Sequence, residues 1–306
     1  MFKMVFILLL LITGKGLLHA QNDIIRAENL GSLGLTGKVK SMLEVSYNAK
    51  KGNTGITKTT KGWQYDFEND SESFFDTLGN LVLEQKIHPA KKEVVYTIKY
   101  DSLNRIIEVN RAQFTQRFVY DSLNRVVSSQ KENRNAEVSK LQALTNYLYY
   151  YNAQGLLTKI EEFGEQAGVF IETFQYGPSR NLIYSELKAG EFTETHQYKY
   201  NEDLMLIKEE WKDSKAGMLE TNSYTYKEKL KFLDHWVEYE NGVPNGSIDD
   251  TYDRGNVIKS VEKDADGVIV VLETCSYQFD SHGNWVKKII TNDEKYYIVE
   301  RVIEYY

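Results

Sequence analysis

One short phrase recurs along this chain, and nothing else in the sequence restricts the fold as strongly. FFDTLGNLVLEQKI from Phe74, KYDSLNRIIEV from Lys99, VYDSLNRVVSS from Val119, YYNAQGLLTKI from Tyr150, TYDRGNVIKSV from Thr251 and QFDSHGNWVKKI from Gln278 are copies of one unit, with weaker copies around Tyr176, Tyr200 and Tyr226. Taking the aromatic before the Asp-like position as the mark gives Phe75, Tyr100, Tyr120, Tyr151, Tyr176, Tyr200, Tyr226, Tyr252 and Phe279. Their spacings are 25, 20, 31, 25, 24, 26, 26 and 27 residues. Tyr47 lies 28 residues before the first mark, and Tyr305 lies 26 after the last. A period in this range signals a repeat architecture rather than a chain with one globular core.

The chemistry inside a unit says what it folds into. Before the turn, apolar and polar residues alternate, as in Tyr96, Ile98 and Tyr100 against Thr97 and Lys99; a period of two in aromatic and β-branched residues is a strand signal. Next comes Asp76, Asp101, Asp121, Asp253 or Asp280, or an Asn at 152 and 201, whose short side chain accepts hydrogen bonds from turn amides. Four residues after the mark stands Gly79, Asn104, Asn124, Gly155 or Gly283, residue types that tolerate positive φ. Asp opening a type I turn that closes on a left-handed residue is a three-residue hairpin with a bulge. Tyr252, Asp253 and Gly255 carry the same unit with one residue fewer before the glycine. An apolar pair such as Ile106 and Ile107 then opens the return strand.

Each unit is therefore a two-stranded hairpin of about 25 residues, and the expected fold is all-β: an antiparallel meander of about 18–20 short strands in a curved or spiral repeat sheet. The abundance of Tyr, 22 against a single Cys, follows from the repeated position. Only Lys131 to Ala143, a polar insertion in the longest unit, is compatible with helix. Cys275 has no disulfide partner in the chain and reads as a small apolar strand residue beside Tyr277 and Phe279.

The N-terminus reads as an address. Lys3 precedes an apolar run from Met4 to Ile12, and small Ala20 stands before Gln21, the layout of a secretory signal peptide. The run is too short to cross a bilayer as a helix, and no later segment is longer. The expected organisation is a signal peptide over 1–20, a leader segment over 21–42 and one repeat domain over 43–306. The mature chain is then exported to periplasm, cell surface or medium, with no transmembrane helix. The whole chain has 37 basic and 44 acidic side chains, a formal charge of -7; nothing there recruits nucleic acid.

The units resemble the tyrosine-aspartate repeats of the RHS type, which centre on Tyr-Asp-x-x-Gly-Asn; FDTLGN at Phe75, YDSLNR at Tyr100 and Tyr120, and FDSHGN at Phe279 carry the likeness. It spans Phe74 to Tyr306. The chain is also similar to exported repeat proteins of Bacteroidetes-type bacteria, with GKVKSMLEVSY from Gly37 and RVIEYY from Arg301. The resemblance implies a strip of β-hairpins that winds into a spiral or curved sheet. It does not carry over the toxin-shell role of large RHS proteins, because the chain holds only the repeats.

Catalytic motifs find no footing. His88, His196, His235 and His282 are scattered, with no HExxH or CxxC-type metal pattern and no GxSxG, Walker or GxGxxG context. Asp264, Asp266 and Gly267 resemble the opening of a calcium loop, but the twelfth position is Cys275 rather than Glu, so a plain hairpin turn is the expected reading. No cofactor or metal is expected. Trp63, Trp211, Trp236 and Trp285 break the repeat pattern and are the candidate ligand-contact residues, since Trp offers a large rigid surface with a polar tip. The expected function is non-enzymatic: a scaffold or binding module of the cell envelope for a glycan, peptide or protein. The alternatives are a glycan-directed envelope hydrolase and an outer-membrane β-barrel; against the barrel, the face alternate to the tyrosines carries Thr97, Lys99, Gln197, Lys199 and Gln278.

Overall fold

A computed structural model describes residues 29–31, 33–61, 70–88, 91–134, 144–164, 169–214, 219–226, 233–240 and 243–306; for residues 215–219, 233–236 and 238–240 no side chain is described. The signal, the first part of the leader segment (21–28), Trp63 and the greater part of the polar insertion lie outside the described residues. Among those described, 21 strands and no helix form. They are β1 (Val39–Gly52), β2 (Gly55–Lys61), β3 (Asp70–Phe75), β4 (Leu81–Ile87), β5 (Lys92–Tyr100), β6 (Ile106–Arg111) and β7 (Phe114–Tyr120). Then follow β8 (Val126–Asn133), β9 (Leu144–Tyr151), β10 (Leu157–Gly164), β11 (Phe170–Tyr176), β12 (Leu182–Ala189), β13 (Phe192–Tyr200) and β14 (Leu206–Asp213). The last are β15 (Leu219–Tyr226), β16 (Leu233–Glu240), β17 (Val243–Asp253), β18 (Asn256–Asp264), β19 (Ile269–Phe279), β20 (Trp285–Asn292) and β21 (Lys295–Tyr305). The all-β meander expected from the repeats is the fold of the chain.

From β3 to β21 each strand pairs antiparallel with its sequence neighbours. Only β1 departs from this rule. Along one edge it pairs β21, from Val39 opposite Tyr305 to Ala49 opposite Tyr296. Its other edge is shared: Ser41 to Glu44 pair β3, and Tyr47 to Gly52 pair β2. β2 and β3 thus form one interrupted strand beside β1, and buried Asp70 closes the gap by accepting from the amide and hydroxyl of Ser46 at 2.8 and 3.0 Å and from Lys61 at 2.7 Å. The sheet begins at Val39, inside the segment read from sequence as leader, and residues before it also pack: Leu35 is buried, and the Leu30 amide donates to the Gly79 carbonyl at 3.2 Å.

The marked turns have one geometry. In the Tyr100 unit the Asp101 amide donates to the Arg105 carbonyl, the Asn104 amide donates to the Asp101 carbonyl, and Asp101 Oδ1 accepts the Leu103 and Arg105 amides, all within 2.9–3.0 Å. Asn104 has φ 62°, and the register slips by one residue between Lys99 and Tyr100, the bulge expected from the sequence. Asp76, Asp121, Asn152 and Asp280 repeat the pattern. Asp264 does so as well, although its turn belongs to a variable connection. The Tyr252 unit differs: Asp253 pairs directly with Asn256, and Arg254 and Gly255 take φ 48° and 80°, a two-residue turn with both central residues left-handed. Gly79 combines φ 85° with a close neighbour, since an added Cβ would lie 3.0 Å from the Leu30 side chain.

The tyrosines make a ladder through their hydroxyls as well as their rings. Tyr100, Tyr120, Tyr151 and Tyr226 donate to the carbonyls of Leu81, Ile106, Val126 and Leu206 at 2.7–3.0 Å, each the first residue of the return strand in the preceding unit. Where the mark is Phe279, Tyr277 two residues earlier makes the corresponding bond to Val257 at 2.9 Å. Below the rings lie Leu81, Ile106, Val126, Leu157 and Leu182, each no more than 5 % exposed, in a core continuous with Ile98, Phe118, Tyr149 and Phe174. The opposite face carries ion pairs, among them Lys99 to Glu108 at 2.8 Å, Arg117 to Glu108 at 2.9 Å and Lys208 to Glu210 at 2.6 Å.

Candidate functional site

The register shows where the ladder face changes character. Two residues before the mark it carries Ile98, Phe118, Tyr149 and Phe174 in successive units; four before the mark it carries Tyr96, Gln116, Tyr147, Glu172, His196 and Asn222. The row two before the mark thus stays apolar or aromatic through Tyr198 and Tyr224, while the row four before it carries polar side chains at Gln116, Glu172, His196 and Asn222. His196 faces Trp211 across the β13/β14 ladder, and Tyr198 faces Glu209.

His196 is held by two carboxylates, Nε2 to Glu194 at 3.0 Å and Nδ1 to Glu209 at 3.2 Å. The Tyr224 hydroxyl on β15 donates to the other oxygen of Glu209 at 3.3 Å. The His196 ring lies almost parallel to Tyr198, with centroids 6.1 Å apart, and 6.4 Å from the Trp211 ring. Burial by itself would lower the imidazole pKa, but the hydrogen bonds and charges of Glu209 and Glu194 outweigh it and hold the pKa above its ordinary value. Burial together with Glu209 raises the Tyr198 and Tyr224 hydroxyls far above the usual tyrosine range. The His196, Glu194 and Glu209 side chains keep 26, 27 and 23 % exposure, so the cluster is a half-open surface rather than a sealed core. Buried Trp211 Nε1 has no hydrogen-bond partner among the described residues.

This arrangement can bind more readily than it can react. Both imidazole nitrogens are committed to glutamates, leaving none free to take a substrate proton or ligate a metal. Around the triad, Tyr198, Trp211 and Tyr224 supply ring surface, and Glu194 retains an oxygen outside these contacts to accept from a ligand hydroxyl or amine.

The four candidate tryptophans separate. Trp211 belongs to this cluster. Trp285 is packed on both sides, with the Arg301 guanidinium 3.5 Å above its ring and Tyr277 edge-on at 6.0 Å, while Arg301 is pinned by Glu44 at 2.8 Å; its contacts are structural. Trp236 stands opposite Tyr224 in the β15/β16 register, but its side chain, like Trp63, lies outside the described residues. Sequence reading passed over His196, which stands four residues before Tyr200 on the ladder face, in a row whose other members include Gln116, Glu172 and Asn222. His282 stacks on Tyr305 with centroids 4.0 Å apart, and Cys275 is buried with its thiol pushed up to about 12. Asp264 spends its carboxylate on the Asp266 and Val268 amides, as a hairpin turn requires. A shallow cleft of about 320 Å³ lies between the Tyr151 and Tyr176 turns, lined by Gln154, Thr158, Tyr176 and Arg180, and shares no lining residue with the His196 cluster.

No family model matches the sequence, and no curated protein matches it. Among solved structures, the chain is similar to a chain of the crystal structure of TcdB2-TccC3-Cdc42, at 12 % identity and TM-score 0.39. That match covers 74 % of this chain and 14 % of the other, so this chain spans about a seventh of its length. It is similar to a porin-like protein from Bacteroides uniformis at 9 % identity and TM-score 0.37, covering 88 % of this chain and 99 % of the other. A porin-like protein from Bacteroides vulgatus matches at 8 % identity and TM-score 0.27, covering 72 % and 96 %.

Proposed function

We propose that this chain is a non-enzymatic, exported binding module of the cell envelope, built from RHS-type hairpin repeats, and that it holds a hydroxyl-rich ligand such as an envelope glycan against the β13–β15 cluster. The observation that carries this reading is the half-open grouping of Trp211, Tyr198 and Tyr224 around the Glu194–His196–Glu209 triad on the ladder face. Rings stack on sugar faces, and carboxylates accept from sugar hydroxyls.

The hydrolase alternative is disfavoured by the same geometry. An inverting glycosidase keeps room for a water between its two carboxylates, and here the His196 ring stands between Glu194 and Glu209. The barrel alternative would require an apolar band toward lipid, whereas the ion pairs opposite the ladder suit water. The test is binding of the mature protein to purified envelope polysaccharides by calorimetry. The wild type should bind, and Trp211→Ala and Glu194→Gln should each weaken binding about tenfold, the scale of one lost aromatic or charged contact. No binding to any fraction, or binding indifferent to both variants, would overturn the assignment.

A further inference from the structure

Three adjacent turns on one rim of the sheet carry a leucine that the fold does not use. Leu78, Leu103 and Leu123 occupy the same position, two after the turn aspartate, and are 73, 63 and 68 % exposed. The turns lie side by side: Asn80 Nδ2 donates to Asn104 Oδ1 at 2.6 Å, and Arg105 Nη1 donates to Asn124 Oδ1 at 3.0 Å. Successive turns are two strands apart, so the leucines stand roughly 10 Å from one another in a row. Turn geometry does not ask for them, because Gln154 and His282 fill the same position in turns with the same hydrogen bonds.

We propose that this rim docks on a lipid bilayer, the three leucines entering the interface between headgroups and acyl chains. The apices are convex and separate, so they form no groove for a peptide. Three turn tips cover far less than the roughly 800 Å² per partner of a stable protein interface, whereas in a bilayer each inserted apolar side chain adds its own transfer free energy. The Arg105 and Arg125 guanidiniums are paired with Asp101 and Asp121 at 2.6 and 2.7 Å, and Asp76 accepts from its own turn amides and Asn80, so no cation of these three turns is left to favour an anionic surface and a neutral lipid surface suits the rim.

The inference rests on the envelope reading, but its test needs no glycan, so the two can fail separately. The mature chain beginning at Gln21 is mixed with phosphatidylcholine vesicles without detergent and separated by flotation. The wild type should float with the vesicles and be released by an alkaline carbonate wash. Leu78→Ser, Leu103→Ser and Leu123→Ser should each lower the partition constant roughly tenfold, and the triple variant about a hundredfold or more, as expected for apolar side chains entering lipid. The singles guard against a fold defect in the triple variant. A control carrying Val169→Ser, Val243→Ser and Val268→Ser, exposed residues of the opposite rim, should bind as the wild type does. A wild type that stays with the soluble fraction at excess lipid, leucine variants that bind undiminished, or leucine variants that instead abolish a concentration-dependent dimer would overturn the proposal.

Discussion

Replacing ladder tyrosines by phenylalanine removes only the hydroxyl, and the structure fixes what that should cost. At Tyr120 the ring keeps its place over the core and under the Arg105 guanidinium, 4.6 Å from its centroid, while the 2.7 Å bond to the Ile106 carbonyl is lost. A phenyl ring fits the position, since Phe75 and Phe279 occupy it naturally. The loss is one partly buried neutral hydrogen bond, about 1 kcal/mol. For a domain of this size that lowers Tm by roughly 2–4 °C. Tyr100, Tyr120, Tyr151 and Tyr226 bond to different carbonyls in different units, so their losses should add, giving about 4 kcal/mol for the quadruple variant. Urea unfolding followed by circular dichroism measures each step. The control is Tyr150→Phe on the opposite face, whose exposed hydroxyl donates to Glu161; it should change stability by less than about 0.5 kcal/mol. If single ladder variants match that control, and the quadruple variant loses less than about 1 kcal/mol, the hydroxyl bonds are not what holds neighbouring hairpins together.

Three further outcomes follow from particular residues. Leu204 takes φ 59° where Asn104 and Asn124 stand in stronger units; Leu204→Asn should stabilise the protein by about 0.5–1 kcal/mol, read as a higher Tm, because Asn tolerates the left-handed region that Leu resists. Burial raises Tyr100, Tyr120, Tyr176, Tyr200 and Tyr226 to about 12. Between pH 10 and 12 the unfolded state releases protons that the folded state keeps, so stability is intact below pH 10 and falls as pH rises toward 12; Tm against pH, with tyrosinate absorbance followed alongside, tests this, and a flat profile contradicts it. In His196, NMR titration should place the imidazole above its usual pKa, and Glu209→Gln should move it down, because the glutamates raise it against burial; an unmoved midpoint would mean that Glu209 does not hold the ring.

The hairpins were legible because each turn is written in local chemistry: Asp101 must face its own turn amides, and Asn104 must take positive φ. The same logic explains the misfit at Tyr252, where one residue fewer before Gly255 converts the turn to a two-residue type. What lay beyond local reading is set by register between units. The variable connections decide which side chains become neighbours, so nothing near His196 in sequence announces that Glu209, thirteen residues later, meets its Nδ1. Trp285 stood out as irregular, yet its role depends on Arg301 and Glu44, the latter more than 240 residues away. The pairing of β1 with β21 was likewise invisible, because a strand's edge partner leaves no mark in its own alternation.

That pairing also orders events in time. Every hairpin from β3 onward can form from neighbouring residues as soon as they are available, which is the fast, local kind of contact. Strand β1 is made first but waits longest: its partner β21 ends at Tyr305, and Tyr306 must arrive to donate its amide to Lys38 and its hydroxyl to the Phe75 carbonyl. Completion of the sheet is therefore tied to arrival of β21, and a chain cut short before Lys295 would leave one edge of β1 open to pair with another molecule. With Lys38 and Tyr306 already in contact, a permutant that links Tyr306 to Lys38 and opens at an exposed turn would let β1 follow β21 directly and should fold without that delay.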